Sequence, residues 1–247
     1  MVHAILAALQ WVDVQAYYLV SRLHGNWFLD RLASLLEGNL LLKSGPILCV
    51  LWYFWFLDDE KQEHRRSLII AILAGTFFGL LVSRSLALLL PYRMRPIYDA
   101  QLVVHPLSFV APNSLLGWSS FPSDHAAYFA AIGVGVIYLC RKLAIPALSY
   151  LTFWICLPRL YLGFHYLSDI VAGVTIGILA CIGCIQTPWI RTKLSPRILT
   201  VMQSRPQVFY PLAFVLMFEI GSMFMSTREA LLSFLHFSSF LRHGLRL

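Results

Sequence analysis

The residues best suited to chemistry in this 247-residue chain are two histidines, one aspartate, one serine and two arginines. His165 and Asp169 stand four apart, so a helix puts them on one face. A carboxylate so placed can hold one imidazole N–H and leave the other ring nitrogen as a nucleophile. His125 lies in a different segment and can protonate a leaving oxygen near neutral pH. Ser123 follows Pro122 and precedes an apolar run, the setting of a helix N-cap, where free backbone N–H groups attract anions. Arg95 and Arg159 carry planar forks that match phosphate oxygens. Taken singly, each has an ordinary structural explanation: a histidine at a helix end, an arginine reaching for head groups, a serine that only caps. His3, His24, His64, His105, His236 and His243 receive that ordinary explanation. Chemistry requires that the chain bring all six to one place.

Apolar segments decide whether it does. Hydrophobic residues make up 59% of the chain and charged residues 13%, with a mean hydropathy of +0.71. A soluble domain carries about 45–50% apolar and about 25% charged residues. A soluble enzyme, a disordered chain and a disulfide scaffold are poor fits, and the composition predicts an all-α, polytopic transmembrane helical bundle. A hydrocarbon core about 30 Å thick needs about 20 helical residues. Residues 39–57, 67–90, 121–140, 143–162 and 166–187 satisfy this, and 207–227 does so if the helix tolerates Glu219, which then faces the bundle interior or is neutral. That makes about six spanning helices.

Residues 4–23 read instead as an N-terminal interfacial helix, with Ile5, Leu6, Leu9, Val12, Ala16, Leu19 and Leu23 in a stripe and Gln10 and Asp13 breaking the surface. The tail from Thr227 has a similar interfacial pattern, with Phe237, Phe240, Arg242 and Arg246. One domain over 1–247 is expected, without repeats and without a convincing cleavable signal. Cys181 and Cys184 spell C-x-x-C inside an apolar run and read as small packing residues.

With these spans, the chain crosses inward after His125, turns at Arg141-Lys142, and regains the same face at Arg159 before re-entering with His165 and Asp169. Arg95, Ser123, His125, Arg159, His165 and Asp169 therefore converge at one depth. The loops on the opposite side, 58–66, 141–142 and 188–206, hold nine Lys and Arg, which marks that side as cytoplasmic and turns the 91–120 connection outward. The formal charge of +7 reflects these loops and anionic lipid rather than a nucleic-acid partner.

These residues resemble the three-part signature of the type-2 phosphatidic acid phosphatase superfamily: Lys-x6-Arg-Pro, Pro-Ser-Gly-His and Ser-Arg-x5-His-x3-Asp. The matching segments here are Arg95-Pro96, Pro122-Ser123-Asp124-His125 and Arg159-x5-His165-x3-Asp169. The likeness covers a core of about 67–187. Three positions depart from it. Leu88 stands at the lysine position, Asp124 at the glycine and Pro158 at the first serine. Arg93 is the preferred substitute for the lysine. Arg84 ranks second, because its side chain should lean back along its own helix, away from the site. Asp124 is expected to contribute only its backbone N–H.

The resemblance implies a metal-independent membrane hydrolase with no cofactor. In it His165 attacks phosphorus to form a phosphohistidine, Asp169 orients the imidazole, and His125 serves as acid and then base. Arg95, Arg159, Ser123 and Arg93 would hold the phosphate oxygens. The expected substrate is a lipid phosphate or diphosphate in the bilayer: a polyprenyl diphosphate, phosphatidic acid or phosphatidylglycerol phosphate. For a bacterial host the site would face the periplasm or exterior from the inner membrane. Two other readings stand beside it: a lipid phosphotransferase using the same phosphohistidine, and a non-catalytic lipid-binding or transport protein.

Overall fold

The computed structural model describes residues 2–102 and 115–225, together with Thr227, Ala230, Leu231, Ser233 and Phe234. His105, the middle of the 91–120 connection and most of the expected interfacial tail lie outside the described residues. Among the described residues every regular element is helical and no strand occurs.

Asparagine sets the first breaks. Asn26 caps α2 (Trp27–Gly38), its Oδ1 accepting from the N–H of Leu29 at 3.2 Å. Asn39 closes α2 with its backbone N–H and opens α3 (Leu40–Phe56) with its side chain, which accepts from Leu42 at 3.0 Å. The two helices meet at 59°. Within α3, Pro46 has no N–H for the carbonyl of Leu42. The Tyr150 hydroxyl donates to that region instead, 3.2 Å from the Leu42 oxygen and 2.5 Å from that of Lys43.

Preceding these is α1 (Val2–Ser21), and following them is the long α4 (Gln62–Leu89). Then come α5 (Asp124–Leu139), α6 (Ala144–Ser149), a π-helical stretch over Tyr150–Cys156, and α7 (Leu157–Tyr161). The π-helical turns sit just ahead of Pro158, whose missing N–H loosens the preceding ladder. Helix α8 (Leu167–Gln186) leads through Ile190–Leu194 to α9 (Ser195–Ser204) and α10 (Pro206–Gly221).

The centre of the bundle is α4, α5 and α8, packed backbone to backbone through small residues. A Cβ on Gly173 would lie 2.2 Å from the carbonyl oxygen of Ser123, and one on Gly177 would lie 2.0 Å from that of Ala127. Cys181 is buried where Gly75 comes against it, and Cys184 is also a free thiol, as the packing role for this pair requires. Ile69, Leu51, Phe129, Ile132 and Ile155 fill the core between these helices and α3.

Among the described residues three helical stretches are long and apolar enough to cross a membrane: Gln62–Leu89, Arg141–Tyr161 and Leu167–Gln186. The bent pair α2–α3 makes a fourth if it counts as one broken span. The expected spans 121–140 and 207–227 contain shorter apolar helices, Asp124–Leu139 and Pro206–Gly221, so the expected six do not all reach full length. One is shortened because Pro122 and Ser123 delay the start of α5. The other ends at the Gly221-Ser222 turn, where Glu219 reaches forward and accepts from the hydroxyl of Thr227 at 2.8 Å. In α1 the apolar stripe at Leu9, Val12, Leu19 and Leu23 is exposed, while Asp13 and Tyr17 face the bundle.

Candidate active site

Four short hydrogen-bonded junctions gather the site. Ser123 caps α5, its Oγ accepting from Ala126 at 3.4 Å, and its own N–H donates to the carbonyl of Asp169 at 3.0 Å. The start of α5 is thereby fixed to the start of α8. Ile97 donates to Gly163 at 2.9 Å, which seats the Arg93–Pro96 stretch against the turn after α7. Gly163 adopts φ +70°, and its missing Cβ leaves room for Ile97 and the Tyr17 hydroxyl. Ser120 donates to the carbonyl of Arg93 at 2.9 Å, and Phe164 to that of Arg159 at 3.0 Å.

His165 sits at the centre, buried, with Nδ1 2.8 Å from the carbonyl oxygen of Ser120. A carbonyl only accepts, so Nδ1 carries the proton and Nε2 keeps its lone pair. Arg95 Nη1 lies 3.4 Å from that Nε2. Burial, reinforced by the Arg95 and Arg159 charges, holds His165 well below the usual histidine pKa. The imidazole is therefore neutral at pH 7. Arg95 is fixed by three backbone carbonyls, those of Trp118 (3.2 Å), Phe164 (2.7 Å) and Ser119 (3.2 Å).

Asp169 was expected to hold the imidazole directly. Its Oδ2 is 3.9 Å from Nδ1 and accepts from the N–H of Tyr166 at 2.8 Å, so the direct hydrogen bond to His165 comes from the Ser120 carbonyl. The capping arrangement at the first turn of α8 draws the carboxylate away. His125 has its own carboxylate, Asp124, whose Oδ1 is 2.8 Å from its Nδ1. The residue in the glycine position, expected to offer only its backbone N–H, thus contributes its side chain.

A cavity of about 450 Å³ opens beside His165. Its wall includes Arg95, Asp124, Arg84 and Ser83, and its rim includes Leu88, Leu90, Tyr92 and Trp118. Ser123, His125, Arg159 and Asp169 are not among the residues that line it. Arg84 Nη2 is 2.5 Å from Asp124 Oδ2, so its side chain does reach the site. Arg93 takes a different place. Its Nη1 donates to Asp169 Oδ1 and, at 2.8 Å, to Ser168 Oγ, while Nη2 meets Asp13 Oδ2 at 2.6 Å. Arg93 lines a separate cavity of about 610 Å³ with Asp13, Asp99 and Tyr166. Of the two candidates for the lysine, Arg84 lines the cavity beside His165 and Arg93 does not.

Arg159 is buried, and Nη2 lies against both oxygens of Glu37. Lys43 joins them, donating to the Glu37 carbonyl at 2.7 Å. Among the described residues Arg159 Nε has no hydrogen-bond partner, a buried donor aimed at nothing in the protein. Asp13, Glu37, Lys43 and Ser120 were not singled out from the sequence. For the first three a signal existed, since an ionisable residue in an apolar helix needs a partner. No group of three His, Cys, Asp or Glu side chains that could hold a metal ion is found among the described residues.

Fold and site together define a helical membrane protein with a buried, neutral histidine facing a cationic cavity. Residues 91–193 match the family described as the PAP2 superfamily. It is 24% identical over 158 residues to undecaprenyl-diphosphatase BcrC of Bacillus subtilis (strain 168), covering 63% of this chain and 73% of the relative. The putative undecaprenyl-diphosphatase YbjG of Escherichia coli (strain K12) is 27% identical over 149 residues, 60% of this chain and 68% of the relative. The bacitracin transport permease protein BcrC of Bacillus licheniformis is 35% identical over a shorter stretch of 77 residues, 31% of this chain and 36% of the relative. No solved structure matches the chain. These relationships support a lipid phosphatase.

Proposed function

We propose that this protein hydrolyses a polyprenyl diphosphate in the bilayer through a phosphohistidine at His165. The observation that carries this reading is the Nδ1–H bond to Ser120, which leaves Nε2 unprotonated against Arg95 beside the cavity. Nε2 attacks the terminal phosphorus, the bond to the bridging oxygen breaks, and the lipid monophosphate departs. His125, oriented by Asp124, gives its proton to the departing oxygen and takes one back from water as the water attacks phosphorus. The P–N bond breaks, inorganic phosphate leaves, and His165 is neutral again.

Arg95 and Arg159 stabilise the equatorial oxygens in both steps, and the unpartnered Arg159 Nε supports an anion there. Arg84 supplies the third cation. The apolar rim of Leu88, Leu90, Tyr92 and Trp118 suits a substrate whose tail stays in lipid. The names of the two diphosphatase relatives favour a polyprenyl diphosphate over phosphatidic acid. Six crossings, with α5 and α10 as short spans, would put the site on the outer face of the inner membrane, opposite the nine cationic loop residues.

The test is phosphate release from a C55 or C15 prenyl diphosphate by purified protein and by His165→Asn. Loss of release by at least about 1,000-fold is expected for the variant. Comparable release by both proteins would refute His165 as nucleophile. Transfer of the phosphoryl group to added lipid alcohols, with little free phosphate, would favour a phosphotransferase.

A further inference from the structure

Helix α1 lies outside the segment that matches the family, yet it places a carboxylate at the site. Asp13 is 1% exposed, on a helix whose Leu9, Trp11 and Leu19 are exposed. It accepts from the Ser168 N–H at 2.8 Å, from the Ser168 hydroxyl at 2.6 Å and from Arg93 Nη2 at 2.6 Å. Arg93 then spans from Asp13 to Asp169. Its guanidinium lies 4.4 Å from the centre of the Tyr166 ring, and the Tyr166 hydroxyl is held by Asp99 at 3.0 Å.

We infer that Arg93 and Asp13 are positioning residues: Arg93 is a strut that holds the Asp169 carboxylate in place behind His165, and Asp13 anchors the strut to α1. The two Asp169 oxygens have separate jobs. Oδ1 is held by Arg93, and Oδ2, held by the Tyr166 N–H, stands 3.9 Å from His165 Nδ1. From there it faces the positive charge that His165 gains when it is phosphorylated. To reach a phosphate in the cavity beside His165, Arg93 would have to leave both carboxylates and strand two buried anions. It therefore acts on turnover and not on phosphate affinity.

This inference rests on the hydrolase reading, and its test separates the two. The kcat and KM for a prenyl diphosphate are measured for Arg93→Ala, Arg93→Lys, Asp13→Asn and the double variant Asp13→Asn/Arg93→Ala. Binding of inorganic phosphate, which needs no turnover, is measured on the same proteins. Expected are a kcat about 100-fold lower for Arg93→Ala and about 10-fold lower for Asp13→Asn, with KM and phosphate affinity within about threefold of the parent. The double variant should be no slower than Arg93→Ala, and Arg93→Lys should recover part of kcat. A tenfold loss of phosphate affinity in Arg93→Ala, or fully additive losses in the double variant, would overturn the strut. If Arg93→Ala does not fold, Arg93→Lys and Asp13→Asn decide by the same split between kcat and KM. A parent protein that binds phosphate but releases none from any prenyl diphosphate refutes the hydrolase reading alone. In that case unchanged phosphate affinity in Arg93→Ala still supports the strut.

Discussion

Glu37 offers both carboxylate oxygens to one nitrogen of Arg159: Nη2 lies 2.8 Å from Oε1 and 2.7 Å from Oε2. One end of the guanidinium is thus anchored in α2, and Nε is left without a protein partner. A buried pair of this kind does more for geometry than for stability. Glu37→Gln keeps the shape and removes the charge, so Arg159 loses its anchor. We expect KM for the lipid diphosphate to rise about tenfold, or about 1.4 kcal/mol. Glu37→Ala should in addition lower the melting temperature, because Arg159 is left as a buried unpaired cation. Steady-state kinetics and thermal unfolding in the same detergent check both.

Arg84 and Leu88 are one turn apart on α4 and both line the cavity. If Arg84 is the third phosphate cation, Arg84→Ala should raise KM by about 10-fold. Introducing the lysine of the family signature, as Arg84→Ala/Leu88→Lys, should restore at least part of that loss. No recovery, with a normally folded double variant, would mean that the cation is needed at residue 84 for holding Asp124 rather than for holding substrate.

His165 gives a pH dependence with a definite sign. Its folded pKa lies well below the ordinary histidine value because of burial and the Arg95 and Arg159 charges. In the unfolded chain it protonates near about 6.5. Between those two values the unfolded state binds a proton that the folded state refuses, so stability falls as pH drops below about 6.5. His165→Asn should flatten this part of the profile of melting temperature against pH. A parallel slope in both proteins would contradict the neutral, buried imidazole.

Packing between α5 and α8 allows little change. Gly177→Ala would put a methyl 2.0 Å from the Ala127 carbonyl oxygen, and nothing flexible is there to yield. A loss of about 1–3 kcal/mol or more is expected, together with loss of activity. Gly183→Ala on the same helix meets nothing within 4 Å and should be close to neutral. Expression level, thermal stability and phosphate release report the contrast.

Much of the site could be read from helix lengths. The convergence of Arg95, His125, Arg159, His165 and Asp169 follows from which end of a helix each occupies, and Ser123 caps α5 as its neighbours suggest. What stayed hidden depends on lateral packing, which periodicity does not encode. Asp13 looked like a flaw in an interfacial stripe because nothing local shows that α8 and Arg93 lie beside it. Glu37 and Lys43 come together only through the 59° bend at Asn39. Side-chain direction along its own helix ranks Arg84 second, but its partner Asp124 depends on how far α4 runs past α5. Span length is hidden for a related reason: capping at Ser123 shortens α5 where hydropathy alone continues, so among the described residues three or four stretches, rather than six, are full-length.

The glycines that let α8 touch α5 have one more effect. Where backbones meet through Gly173 and Gly177, and the Ser123 N–H bonds the Asp169 carbonyl, no compressible side-chain layer separates α5, which carries His125, from α8, whose first turn follows His165. A thicker or thinner bilayer tilts helices at a modest cost per ångström of mismatch. The α5–α8 pair answers such a force as one stiff beam. Lipid composition can then change how readily a ligand enters, while the distance between the imidazoles of His125 and His165 is insulated from the membrane around it.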